Sequence, residues 1–214
     1  MKAVVLKIDP VNPDPSKLQE AADLLKAGKL VAFPTDTVYG VGADAFNEEA
    51  VERIFAAKKR DANKPLQVLI AQKSDLQAIA EDQSEILERL ASEFWPGPLT
   101  LVMSAKADFP QRVRCGGKTI GVRMPANPVA LRLIEAFGTP IAATSANISS
   151  SPDPVSAGEV MKYLGDKVDL ILDGGPTSGG IPSTVLDISV HPPVVLRQGK
   201  LSSDVLKRVI DLAE

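Results

Sequence analysis

A chain of 214 residues, 44% hydrophobic and 24% charged, has the composition of a soluble globular protein and the length for one large domain or two small ones. Its net charge of −3 and pI of about 5.3 argue against a protein that coats nucleic acid, which is usually basic. One cysteine, Cys115, and one histidine, His191, exclude an intrachain disulfide, a Cys-rich zinc site and any catalytic triad that does not use His191.

The first apolar run, MKAVVLKIDP, is too short for a signal sequence and lacks a small-residue cleavage site. No stretch approaches the roughly 20 apolar residues that span a bilayer, so a cytoplasmic protein without membrane contact is expected. Ser16, with Gln19 three residues on, predicts the start of the helix KLQEAADLLKAG, which Gly28 ends. The strand LVAF (30–33) runs into PTDTVYG (34–40), whose Asp, Thr and Gly read as a turn carrying hydroxyls and a carboxylate. Asn47 opens EEAVERIFAAKKR, with acids in the first turn and cations in the last, as the helix dipole favours. KKRDANKP (58–65) then leads into the strand LQVLIA (66–71). Lys58, Arg60 and Lys64 can share one rim there, where a polyphosphate would find both bidentate and point-charge partners.

Ser74 with Gln77, and Ser84 before EILERLASEFW, predict two more helices; WPGPLT (95–100) stops the second and starts the strand LTLVMSA (99–105). Trp95 reads as core or interface rather than a cofactor stacker, and Cys115 as an inert loop thiol. Within RVRCGGKTIGVRMP (112–125), Arg123 interrupts the apolar strand TIGVRM (119–124). A buried strand carries an arginine only at a cost unless it meets a ligand or a partner acid. Asn127 starts a helix, the strand PIAAT (140–144) follows, and ATSANISS (143–150) sets small donors and acceptors at its end, where α/β sheets bind ligands. Ser156 with Glu159 starts another helix, the strands VDLILD (168–173), STVLDIS (183–189) and VVLR (194–197) come in close succession, and a last helix follows Ser202 or Ser203. Early alternation and late runs of strands specify an α/β fold with a mixed sheet. No linker divides the chain, so one domain over 1–214 is expected. The segment 148–156 is a candidate lid, and DGGPTSGG lacks the spacing of a phosphate-binding loop. An enzyme with these residues would work by aligning substrates and balancing charge.

In this order, PTDTVYGVGADAF, KKRDANKPL, WPGPLTLV, TIGVRMP, TSAN, PSTVLD and VVLRQG closely resemble the YrdC/TsaC family of L-threonylcarbamoyladenylate synthases, over about residues 4 to 200. The resemblance implies an open twisted mixed sheet with flanking helices around a deep, basic cavity. It implies an enzyme that joins L-threonine, bicarbonate or CO2 and ATP into L-threonylcarbamoyl-AMP and pyrophosphate. A partner transferase complex would pass the threonylcarbamoyl group to adenosine 37 of tRNA; direct contact with RNA is left open. Longer members carry a further C-terminal domain, and this chain resembles the compact kind. By the same resemblance Lys58 and Arg60 are catalytic, and Thr35, Arg123, Ala143 and Ser183 surround the substrate threonine. Lys58, Asn63, Thr119, Ser145, Asn147 and Arg197 would contact or support ATP, with Mg2+ arriving on the nucleotide rather than on a protein site. Leu69 departs from the PLIVH of many longer members, and Asp36 could orient its loop or touch the substrate amine. Two other readings stand beside this one: a double-stranded RNA-binding module, and a paralogue acting on another carbamoyl substrate.

Overall fold

A computed structural model describes residues 2–81, 84–177 and 179–213. In chain order the elements are β1 (Val4–Lys7), α1 (Pro15–Lys26), β2 (Val31–Pro34), β3 (Tyr39–Asp44), α2 (Glu48–Lys58) and β4 (Gln67–Leu69). A 3₁₀ helix (Lys73–Ala78), α3 (Glu85–Phe94), β5 (Leu99–Ser104), α4 (Gln111–Arg114), β6 (Thr119–Arg123) and α5 (Pro128–Phe137) follow. Then come β7 (Ile141–Ser145), α6 (Ala157–Leu164), β8 (Leu170–Asp173), β9 (Thr184–Asp187), β10 (Val194–Arg197) and α7 (Ser203–Leu206). The strands form one open sheet in the order β1-β8-β2-β3-β7-β4-β6-β5-β9-β10. Pairs β1/β8, β2/β8, β4/β6 and β5/β9 are parallel and the rest antiparallel, so the sheet is mixed as expected.

Most helix starts follow the sequence. Asn47, Ser84, Asn127, Ser156 and Ser202 each accept a hydrogen bond from a backbone N–H of the first turn. Two differ. The cap of α1 is Asp14, whose carboxylate accepts from Ser16 N, because Pro15 takes the first helical position and pushes the start back two residues. The Ser74 helix is a 3₁₀ segment capped by Gln72 and Asp75.

The larger difference is β3. The turn expected over 34–40 is confined to 35–38, because Pro34 pairs with Tyr39 and the chain continues as a buried strand. Two glycines in six residues hide that strand from propensity. Packing demands at least one of them: a Cβ on Gly42 would lie 2.5 Å from Ile141 Cγ2 and 3.0 Å from a Phe33 ring carbon.

Each face of the sheet meets helices. On one, Val31, Phe33, Leu69, Ile141, Leu170 and Leu172 pack under α1 and α5. On the other, Val41, Val68, Leu101, Val122 and Ile171 share a larger core with α2, α3 and α6. Among the described residues the α1/α5 layer includes none from β5, β6 or β9. That half of the face is left for a cavity. Among the described residues no helix is long and apolar enough to cross a membrane.

Candidate active site

Side chains two apart on a strand share a face. The register aligns Gly42, Ala143, Gln67 and Gly121 in one row across β3, β7, β4 and β6. Neighbouring rows hold Gly40 beside Ser145, and Leu69 beside Arg123. Gly40, Gly121 and Ala143 in this patch leave depth. The result is a cavity of about 400 Å³ over the part of the sheet that the helices do not cover.

Eight of the expected site residues line it: Thr35, Arg60, Thr119, Arg123, Ala143, Ser145, Ser183 and Arg197. Three guanidinium groups therefore face one space in a chain of net charge −3, against the carboxylates of Asp153 and Asp187. Burial pulls each of the three arginines below its ordinary range, and a guanidinium stays charged regardless.

Arg123 is 2% exposed. Its Nε donates to Gly97 O at 3.0 Å, Nη1 to Thr37 Oγ1 at 3.0 Å, and Nη2 to Asp36 Oδ1. Of five N–H donors these bonds use three, which leaves one on each terminal nitrogen. Asp36 Oδ1 also accepts from Ala126 N at 3.0 Å, so the acid fixes the arginine and the loop together. Its Oδ2 is buried without a hydrogen-bond partner among the described residues. The hairpin loop is self-braced: Thr35 Oγ1 donates to Val38 O at 2.7 Å and lies 3.0 Å from Thr37 Oγ1.

Arg60 hangs over the cavity from bonds to Lys64 O (3.0 Å) and Pro65 O (2.8 Å). Arg197 Nη2 donates to Ser183 O at 2.8 Å and to Ser183 Oγ at 3.2 Å. Ser183 Oγ is 2.8 Å from Thr100 Oγ1, which donates to Gln67 Oε1 at 3.2 Å.

Lys58, Asn147 and Asn63 do not line the cavity. Lys58 is 1% exposed, and its Nζ donates to Ser145 O, to Asn147 O at 2.6 Å and to Asn147 Oδ1 at 2.9 Å. Burial, reinforced by nearby Arg60 and opposed by Asp153, pushes it down to about 7. Three acceptors need three donors, which only the ammonium form supplies. Asn147 Nδ2 reaches Ser151 O at 2.6 Å, Pro152 O at 3.2 Å and Asp153 Oδ1 at 3.2 Å, so the pair forms the scaffold behind the segment 147–153. Asn63 sits on an exposed turn where its backbone N–H bonds Asp61 Oδ1 at 3.0 Å.

The lid candidate is tied down at both ends: Ser149 N donates to Lys58 O at 3.0 Å, while Pro154 O accepts from Tyr39 N at 2.8 Å and Val155 O from Thr177 N at 2.9 Å. Gly179 and Gly180 of the glycine-rich run lie over the hairpin loop: Gly180 N bonds Thr37 O at 3.1 Å, and a Cβ on Gly179 would lie 2.5 Å from that oxygen. Pro182 and Ser183, which follow the run in the chain, line the cavity. Cys115 stays a thiol, pushed up by burial, and Trp95 is a core residue whose Nε1 donates to Leu99 O at 2.7 Å. Sequence reasoning passed over Thr37, Gln67, Thr100 and Asp153. Period-2 alternation flags Gln67 beside Leu69, and Thr100 beside Val102, as strand positions sharing a face, but only the register brings that face to Arg123.

Against known proteins, the Sua5/YciO/YrdC family model, described as telomere recombination, matches residues 23–199. The chain is 48% identical over 194 residues to threonylcarbamoyl-AMP synthase of Pyrococcus abyssi (strain GE5 / Orsay), covering 91% of this chain and 57% of the relative. It is 42% identical over 203 residues to the Bacillus subtilis (strain 168) enzyme of the same name, covering 94% and 59%. Its structure superposes on the crystal structure of P. abyssi Sua5 complexed with L-threonine with a TM-score of 0.95 at 44% identity, over 99% of this chain and 63% of that one. The chain thus spans less than two thirds of the length of these relatives.

Proposed function

The chain belongs to the Sua5/YciO/YrdC family, and from that premise we propose that it makes L-threonylcarbamoyl-AMP and pyrophosphate from L-threonine, bicarbonate or CO2, and ATP. The observation that carries this reading is Arg123, buried in a strand, paired on one side with Asp36 and left with two N–H donors beside a cavity that holds two further guanidinium groups. Such a site suits a small carboxylate at one end and a polyphosphate at the other.

The threonine carboxylate takes the two remaining donors of Arg123, with Thr35, Ala143 and Ser183 around the rest of the amino acid. Its amine adds to CO2, losing a proton, to give N-carboxythreonine; starting from bicarbonate, the same step releases water. A carbamate oxygen attacks the α-phosphorus, and the bond to the bridging oxygen breaks to release pyrophosphate. Arg60 and Arg197 offset charge on the phosphates as the leaving group departs. Thr119 and Ser145 line the nucleotide side, Lys58 and Asn147 hold the 147–153 segment in place behind it, and Asn63 lies on the outer turn. No side-chain nucleophile takes part. Carbamates revert in water, so enclosure of the intermediate is part of the chemistry.

Mg2+ would come with ATP and neutralise phosphate charge; Asp153 and Asp187 are carboxylates of the kind that complete the shell of a phosphate-bound ion. Transfer to tRNA requires a second, acyl-transferring enzyme, since the product is a mixed anhydride at the adenylate. The test is pyrophosphate release with threonine or bicarbonate withheld in turn. Release that needs both supports the reading, and release indifferent to either overturns it.

A further inference from the structure

The polar chain on the cavity floor has a direction. Arg197 can only donate, so Ser183 Oγ accepts from it at 3.2 Å. The Ser183 hydroxyl is then free to donate to Thr100 Oγ1, 2.8 Å away. Thr100 in turn donates to Gln67 Oε1 at 3.2 Å. Each hydroxyl spends its single proton on the next acceptor, and the chain ends on the carbonyl oxygen of the Gln67 amide. With its Oε1 accepting from Thr100, the Gln67 amide leaves its Nε2, with two N–H donors, on the other side. Among the described residues no protein acceptor bonds that nitrogen, while Gln67 lines the cavity. A cation at the head of the chain polarises every link toward the amide, which strengthens it as a donor.

The position of Gln67 says what it could serve. Its strand, β4, lies between β7, which carries Ala143 and Ser145, and β6, which carries Arg123. It pairs with Ala143 on one side and Gly121 on the other, and neither neighbour has a polar side chain to compete for a ligand there. Arg123 and the phosphate-facing arginines are already assigned by charge. An uncharged double donor on the floor between them suits the group that must lie between an amino-acid carboxylate and an α-phosphate.

We propose that Gln67 Nε2 donates to the carboxyl oxygen borne on the substrate nitrogen, aligning the carbamate for attack on phosphorus, with Ser183 and Thr100 relaying its orientation from Arg197. This rests on the reaction proposed above. Gln67 contributes a substrate contact; Thr100 is a positioning residue that acts through it.

The experiment compares wild type with Gln67→Met, which keeps volume and removes the donor, and Gln67→Glu, which puts an acceptor where the donor stood. Thermal melting checks the fold, and Gln67→Asn, which withdraws the amide by one methylene, serves if either variant does not fold. Pyrophosphate release is measured against bicarbonate and against threonine, and threonine binding by calorimetry without bicarbonate. Gln67→Met should lower kcat/KM for bicarbonate about 10- to 100-fold, and Gln67→Glu more, while threonine Kd changes less than about threefold. Thr100→Val should cost less, about threefold to tenfold, with the same selectivity for bicarbonate over threonine. Unchanged bicarbonate dependence in Gln67→Met, or a loss seen equally in threonine Kd, overturns the assignment of Gln67 alone. Wild-type release that ignores bicarbonate overturns the reaction and this inference together.

Discussion

Two corners of the site bury a cation, and they satisfy it in opposite ways. Arg123 meets an acid, Asp36, and keeps two donors in hand. Lys58 meets only uncharged oxygens, from Ser145 and Asn147, and gives them every proton it has. The first arrangement holds its charge through any pH the protein meets and waits for an anion. The second holds a segment of chain in place and leaves its charge sensitive to surroundings, with burial pushing it down to about 7. One corner is built to bind, the other to brace.

Removing the ion-paired cation should do the most damage. Arg123→Met leaves the mostly buried Asp36 carboxylate without its countercharge and held only by Ala126 N, and breaking such a pair costs roughly 3–5 kcal/mol of stability. Threonine affinity should fall about 10²- to 10⁴-fold from the loss of two charge-assisted hydrogen bonds. Denaturant melts and calorimetry read the two effects; retained threonine binding would break the contrast. Lys58→Met should destabilise less, by about 1–3 kcal/mol, through oxygens left without donors. Its turnover should drop about 10- to 100-fold while threonine Kd stays within about twofold. An equal loss at both substrates would mean that the two corners are not separate.

The smallest effect concerns pH. With its folded value near 7 against an unfolded 10.5, Lys58 holds its proton more weakly in the fold. A phosphate anion close by favours the ammonium, so nucleotide binding takes up a proton above pH 7. Affinity for a non-hydrolysable ATP analogue should therefore fall about tenfold from pH 6 to pH 8, beyond the change seen in Lys58→Met. Identical pH profiles in the two proteins would remove Lys58 from the nucleotide's surroundings.

The sequence made one corner easier to read than the other. An arginine inside an apolar strand announces a partner, and Arg123 has both an acid and a cavity. Lys58 and Asn147 were placed beside ATP through the family resemblance, whereas the structure joins them to each other across 89 residues. No local pattern encodes that pairing. The same holds for the floor: Gln67 and Thr100 meet only because β4 and β5 both flank β6. Caps such as Asn47 and Asn127 were legible because they depend on a few neighbouring residues. β3 was not, because its glycines answer to Phe33 and Ile141 rather than to local propensity.

The bonds that shape the cavity reach far along the chain. Thr37 and Arg123 are 86 positions apart, Tyr39 and Gly175 are 136, and Asp36 and Lys200 are 164. During synthesis, the strands that face the ligand first would leave the ribosome long before the residues that complete their surroundings. Contacts of such long range form late and slowly. A nascent chain therefore has no partial version of this pocket to offer a small molecule, and the cavity is completed as a single late event in biogenesis.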